Sequence, residues 1–337
     1  MPALNAKPAA VKPAATCFAY ADAREPVPIE DFASISNVLA ESKGFVWFDV
    51  VDPEAADLAT IQEEFHLHPL AIEDAIKAHQ RPKIESYDGY WFIVVHAAST
   101  DADALQIHEI AIFAGANFIV TVRDPPPYPL DEVLRRWHAR GGALRCDSGA
   151  LLYELLDTVV DGYSPVAEAY ERRIETLETT LFSEQAPTRS MLLQIFSIKK
   201  DVQRFRHAVV PMREILAPIM RGEMKLFPQD ELPYYRDVYD HAVRVIDDMD
   251  AAREIANSAL DVHISIASNR QNEVAKQLTI IATIFLPLTY LTGFFGQNFG
   301  YLVANIVSPA SFWSVGVGTE VFALLALLGY FKYKKWY

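Results

Sequence analysis

The sequence predicts an α/β cytoplasmic domain, then long helices, then two C-terminal transmembrane helices. Three observations carry this prediction. Short β-rich runs alternate with helical segments up to about residue 124; the middle of the chain is helical and heavily charged; the C-terminal part holds two apolar stretches almost free of charge. With 337 residues the chain is long enough for more than one domain, and at 51% hydrophobic and 12% aromatic its apolar content must be concentrated somewhere.

Residues 1–21 open with MPALNAKPAAVKPAAT, rich in Ala and Pro and without an apolar core, and read as a mobile tail. Residues 22–147 form the α/β domain. Its strands are FVWFDVV at 45–51, WFIVVH at 91–96 and EIAIFAGANFIVTVR at 109–123, whose Gly115-Ala116-Asn117 marks a hairpin turn. A helix over Pro53 to Phe65 is predicted with Asp52 as its cap and proline at its first position. Residues 148–276 follow the loop DPPPYP and are helical. Ser148 to Phe182 and Pro187 to Met220 read as two long antiparallel helices separated by SEQAP. Tyr234 to Leu286 contains neither Gly nor Pro and reads as one helix that starts in water and ends in lipid. Along it Val238, Ala242, Val245, Met249, Ala252, Ala256 and Ala259 recur at alternating spacings of four and three, a seam that wants other helices to pack against.

Between Gln277 and Phe331 the only charged side chain is Glu320. Leu278 to Phe295 and Phe312 to Phe331 are 18 and 20 residues long, near the ~20 that cross a bilayer core. The boundaries are therefore a first span at 277–296, an external loop at 297–311, a second span at 312–331 and a basic tail at 332–337. Arg270 and Lys276 precede the first span, and Lys332, Lys334 and Lys335 follow the second, so both termini are placed in the cytoplasm of a multi-pass cell (inner or plasma) membrane protein. One stripe of the first span is small or weakly polar: Ala275, Ala282, Thr289 and Gly296, beside Asn272, Thr279, Leu286 and Gly293. Such a stripe serves either close helix packing or the lining of a water path. Two spans cannot enclose a pore, so a path would need several copies around an axis.

A formal net charge of −14 argues against a nucleic-acid partner and fits a surface that attracts cations. Two cysteines, Cys17 and Cys146, make no disulfide framework. The sequence holds no nucleophile elbow, P-loop, Rossmann glycine pattern or HExxH, so an enzyme is not expected and no organic cofactor is implied.

The segment NEVAKQLTIIATIFLPLTYLTGFFGQNF at 272–299 closely resembles the first membrane helix of the CorA magnesium transporters, the two-span GxN proteins. HPLAIED at 68–74, HQRPKIE at 79–85, YYRDVYDH at 234–241 and the terminal FKYKKW resemble the same family in the same order. The resemblance implies a funnel-shaped homopentamer in the lipid bilayer, its long helices forming a stalk and its first spans lining the pore. It implies Mg2+ as both substrate and regulatory ligand, with Co2+ and Ni2+ also carried.

In that family frame the selectivity mouth is Gly296, Gln297 and Asn298. The pore-facing positions are Asn272, Ala275, Leu278, Ala282, Leu286 and Thr289, with Leu278 and Leu286 as an apolar gate. Periodicity alone favours Thr279 over Leu278 on the stripe. The matching regulatory carboxylates are Glu73, Asp74 and Asp237, and Asp157 with Asp161, four apart on one helix face, would complete a second metal site. His66 and His68 fit either a zinc site or a structural role. Three departures from the family bear on the ion carried: Gln297 stands where Met is usual, Ala275 where Met is frequent, and the external loop lacks acidic residues. Glu320 is read either as a hydrogen-bonded group between helices or as a proton-coupling site. The alternatives are a zinc transporter of the ZntB type and, further off, a non-conducting membrane-anchored sensor or scaffold.

Overall fold

The computed structural model describes residues 15–20, 26–41, 44–77, 80–101, 104–139, 146–182, 188–224, 231–305 and 308–334. The chain divides into two compact units, Met1–Leu260 and Asp261–Tyr337.

A seven-stranded sheet organises the first unit. Its strands are β1 (Thr16–Tyr20), β2 (Val27–Pro28), β3 (Phe45–Val51), β4 (Lys83–Tyr87), β5 (Tyr90–Asp101), β6 (Ala104–Gly115) and β7 (Phe118–Arg123), in the order β2-β1-β3-β7-β6-β5-β4. Only β3 and β7 run parallel; the remaining neighbours are antiparallel. Ala116-Asn117 turns β6 into β7 as the hairpin reading requires, and Phe118 packs over Gly115 so closely that a Cβ there would sit 2.3 Å from its ring. The predicted strand at 45–51 is β3. It is almost continuously apolar because both faces of the sheet are covered.

On one face Val46, Phe48 and Val50 meet helices α1 (Ile35–Glu41), α2 (Ala55–Glu64) and α3 (Pro69–Ile76) through Ile35, Leu58, Ile61 and Ile72. On the other, Phe45 stacks on Tyr20 at 5.0 Å between centroids, and both meet the edge of Trp137 from α4 (Asp131–Ala139). The same face carries α5 (Ser148–Asp161), α6 (Tyr163–Leu181) and α7 (Arg189–Val209), followed by α8 (Met212–Met220).

Several expectations need correction. Residues 16–20 are a sheet strand with Cys17 and Tyr20 buried, so the part of the expected tail from Thr16 to Tyr20 belongs to the domain; 1–14 and 21 lie outside the described residues. The helix expected from Pro53 begins at Ala55. Asp52 has φ 51, and the first turn is held instead by Glu54 N–H donating to Asp57 at 2.9 Å. Each of the two long helices expected over 148–220 is broken once. Pro165 has no N–H to offer Asp161, and Pro211 none to offer His207, so the chain turns at Gly162 and at 210–211. The SEQAP separator at 183–187 lies outside the described residues. No unit boundary falls at residue 148, because α5 is buried along almost its whole length against the sheet.

Helix α9 (Leu232–Phe295) is continuous. Its seam from Val238 to Ala259 is buried, so within the first unit the apolar stripe already has its partners. The second unit holds the rest of α9, α10 (Gly300–Asn305), α11 (Pro309–Ser311), a π-helical turn at Phe312–Val317 and α12 (Gly318–Tyr333). Two helical stretches, Leu232–Phe295 and Pro309–Tyr333, contain windows long and apolar enough to cross a membrane. Lys335 and the rest of 335–337 lie outside the described residues.

Candidate functional site

The first candidate region lies in the second unit, where α9 ends. Gly296 N–H donates to Thr292 O at 2.9 Å and Gln297 N–H to Phe294 O at 3.3 Å, closing the helix before Asn298. A Cβ at 296 would meet Thr292 O at 3.2 Å, so glycine suits the tight closure. A cavity of about 690 Å³ opens beside this end, and Thr292, Gly296, Gln297, Asn298, Gly316 and Glu320 are among the residues that line it. Its polar groups are amides, backbone carbonyls, the Thr292 hydroxyl and the Glu320 carboxyl.

The helix leading there has two unlike faces. Ile280, Ile284, Leu288, Leu291 and Phe295 are partly covered, at the spacing of one helix face. The stripe of Asn272, Ala275, Leu278, Ala282, Leu286 and Thr289 is uncovered, as are Ile281, Phe285 and Tyr290 beside it; Leu278 and Leu286 are 67% and 72% exposed. Thr279 is exposed too, but its hydroxyl donates to Ala275 O at 2.8 Å and Thr289 likewise to Phe285 O, so these hydroxyls are partly spent on their own helix.

The second region is a charged cluster in the first unit. Asp157 and Asp161 do share a face of α5, as their spacing requires. Arg136 of α4 bridges them, donating to Asp157 at 2.9 Å and Asp161 at 2.7 Å, and also to Glu132 at 2.8 Å. Burial pulls the Arg136 guanidinium towards losing its charge, yet the hydrogen bonds it donates to Glu132 and Asp161 outweigh it and push its pKa up. Its charge is therefore fixed. His241 lies 3.9 Å from both Asp161 and Asp237, so the structure draws Asp237 of α9 into the same cluster. Asp237 keeps 65% of its side chain exposed.

Glu73 and Asp74 are placed differently. Glu73 pairs with Lys77 one turn on, and Asp74 with Lys83 of β4 at 2.6 Å. Among the described residues no three His, Cys, Asp or Glu side chains are grouped to hold a metal ion. The second metal site expected at Asp157 and Asp161 is thus a guanidinium site in the single chain. His68 has a structural post: it caps α3, its Nδ1 accepting from Leu70 N–H at 3.2 Å, while its own N–H donates to Tyr90. His66 occupies a left-handed turn at φ 52.

Sequence reasoning missed Arg136, His241 and Thr292. The first two carried a readable signal, since Glu132–Arg136 and Asp237–His241 are pairs four apart, the second of them on a predicted helix. Thr292 carried none, because its contact at 2.8 Å is with Glu320, 28 residues away.

A family model described as CorA-like Mg2+ transporter protein matches residues 42–333. The cobalt/magnesium transport protein CorA of Thermotoga maritima is 33% identical over 298 residues, covering 86% of this chain and 83% of that protein. The zinc transport protein ZntB of Cronobacter sakazakii is 25% identical over 308 residues, covering 90% and 88%. The solved CorA magnesium transporter from Methanocaldococcus jannaschii matches 96% of this chain and 98% of its own, with a TM-score of 0.77 at 21% identity, a likeness of fold.

Proposed function

The chain belongs to the CorA-like Mg2+ transporter family, whose members move divalent metal ions, and from that premise we propose that it imports hydrated Mg2+, with Co2+ and Ni2+ as further substrates, through a pore built by five identical copies in the cell membrane. The observation that carries this reading is the two-faced helix α9: its small and weakly polar stripe is uncovered and leads to Gly296-Gln297-Asn298.

Magnesium gives up its water shell reluctantly and usually keeps several waters. Amide and carbonyl oxygens at a mouth accept hydrogen bonds from that shell without stripping it. Asn298 and the carbonyls about Gly296 supply them, repeated in every copy. Carboxylates there would hold the ion more tightly and release it more slowly. A doubly charged ion gains about 4.6 kcal/mol per 100 mV of inside-negative potential, twice the single-charge value, so inward flow needs no other fuel. Leu278 and Leu286 act as the gate, closing by excluding water from an apolar ring. Both termini face the cytoplasm, as Arg270, Lys276, Lys332 and Lys334 at the inner ends of the spans favour.

Cytoplasmic Mg2+ closes the pore by bridging carboxylates of neighbouring copies, with Asp237 first among them because it is exposed, and Glu73 and Asp74 behind their lysines. Asp157 and Asp161 join only if the ion displaces Arg136, which makes them the weakest members of the set. Removing Asp237 is expected to weaken Mg2+-dependent protection from proteolysis.

A second reading, zinc transport, is favoured by the ZntB relatives, and Gln297 in place of Met does not decide between the two. Uptake into liposomes under a fixed potential, with Mg2+, Co2+, Ni2+ and Zn2+ compared with and without a proton gradient, separates the two. Preference for Mg2+ that disappears in Asn298→Ala supports the first. Zinc uptake driven by the proton gradient supports the second, and no uptake of any ion leaves the sensor or scaffold reading.

A further inference from the structure

The contact between the two spans joins Glu320, the only charged side chain from Gln277 to Phe331, to the turn that ends α9. Thr292 is that turn's hinge point: its carbonyl accepts the N–H of Gly296 at 2.9 Å, and its hydroxyl oxygen lies 2.8 Å from Glu320 Oε1 and 2.9 Å from Leu288 O. Glu320 reaches it just after the π-helical turn at 312–317, where Gly318 N–H bonds back five residues to Trp313 O. One extra residue in the turn rotates everything after it by roughly 100° relative to an uninterrupted α-helix. That rotation sets the face on which Glu320 lies.

A hydroxyl has a single proton to donate. Thr292 cannot give it to both Leu288 O and an ionised Glu320. Both short contacts are satisfied together when Glu320 is protonated: its O–H donates to Thr292 Oγ1, and Thr292 donates onward to Leu288 O. When Glu320 releases its proton to water, Thr292 turns its own proton to the carboxylate and the link to Leu288 O is lost. No other Asp, Glu, His, Lys or Arg faces this group from the end of α9, from α10, from the π-helical turn or from α12 as far as Phe331; the tyrosines at 290, 301 and 330 lie outside the cavity lining.

We propose that Glu320 is a positioning residue for the external mouth, holding the final turn of α9 through Thr292, and that the proton on this relay sets how well Gly296-Gln297-Asn298 receives the incoming ion. The inference rests on the reading of that segment as the transport mouth.

The test is Mg2+ uptake by the full-length protein in liposomes, at fixed potential, as a function of Mg2+ concentration across an external pH series. In the unaltered protein the half-saturating concentration is expected to shift roughly twofold to tenfold between the acid and alkaline limits, the worth of one neutral hydrogen bond. Glu320→Gln, whose amide donates to Thr292 as the acid does, holds the acid-limit value at every pH. Thr292→Val loses the shift although the carboxyl at 320 is retained, and Thr292→Ser restores it. A Glu320→Gln profile identical to that of the unaltered protein overturns the proposal. So does a full shift in Thr292→Val, which would make Glu320 a simple electrostatic attractor. Absence of uptake by the unaltered protein for any metal would defeat the transport reading itself, and this inference with it.

Discussion

Up to Leu260 most of the large apolar side chains are buried, with Phe182, Leu193 and Phe196 among the exceptions, and beyond it most of them are displayed. Trp137, Phe92, Phe113 and Tyr163 are fully buried, whereas Leu286 and Phe322 are 72% and 75% exposed. The same hydrophobic effect explains both, because what differs is the surrounding medium. In the first unit water is the solvent, so apolar groups fold inwards around a sheet and charges are matched at its surface. In the second, beyond the charged stretch at 261–276, most of the large apolar side chains point outwards while Gln297, Asn298 and Glu320 line one cavity, the pattern of a segment solvated by lipid. Helix α9 runs through the change: its seam at 238–259 is satisfied inside the first unit, and its stripe from Asn272 onwards is left uncovered.

On that contrast, substitutions in the buried core and helix caps of the first unit alter stability, and those at the end of α9 in the second alter permeation. The largest effect expected is from Trp137→Ala, which empties the contact with Tyr20 and Phe45 and should cost about 3–5 kcal/mol in denaturant unfolding. Next is Asn298→Ala, which should lower Mg2+ uptake about a hundredfold, since a loss of about 0.5 kcal/mol recurs in each of the five proposed copies, while leaving the unfolding transition of the first unit where it was. An unfolding shift without a transport defect would break the comparison. Thr188→Ala removes the cap that accepts from Met191 N–H at 3.3 Å and should destabilise α7 by about 1 kcal/mol, seen as a lowered unfolding midpoint with unchanged ion affinity.

The smallest effect is one of pH. Hydrogen bonds from Arg135 and then Arg136 hold the Glu132 carboxyl down to about 2, against an ordinary value of 4.5. Its contribution to stability is therefore complete above pH 4.5 and fades as the pH falls through about 2. Glu132→Gln should narrow its gap from the unaltered protein only within that window, as followed by unfolding midpoints in an acid series; a gap that stays constant would remove the pairing from the stability of α4.

Much of this was legible in the chain. Residues 45–51 and the turn at 115–117 announced strands by composition and glycine, and the charge-free stretches announced the apolar helices, because each signal is local. The mouth candidate could be located for the same reason, as an uncharged polar triplet closing an apolar helix. β1 escaped because its five residues follow an Ala- and Pro-rich run and gain their order from β3 and Trp137, which lie far along the chain. The breaks at 162 and 211 were written in Pro165 and Pro211 but were masked by the helical texture on either side. Arg136 between Asp157 and Asp161, and Glu320 at Thr292, depend on packing and on a π-helical turn, neither of which has a short-range pattern.

At the centre of the account, neutral oxygens from identical copies receive a metal ion that still holds its water. A high-resolution map of the assembled protein in lipid tests it most directly. The account predicts five Asn298 side chains turned towards a common axis, at a distance from it that leaves room for a hydrated ion. Asn298 facing lipid, away from any axis, would contradict it.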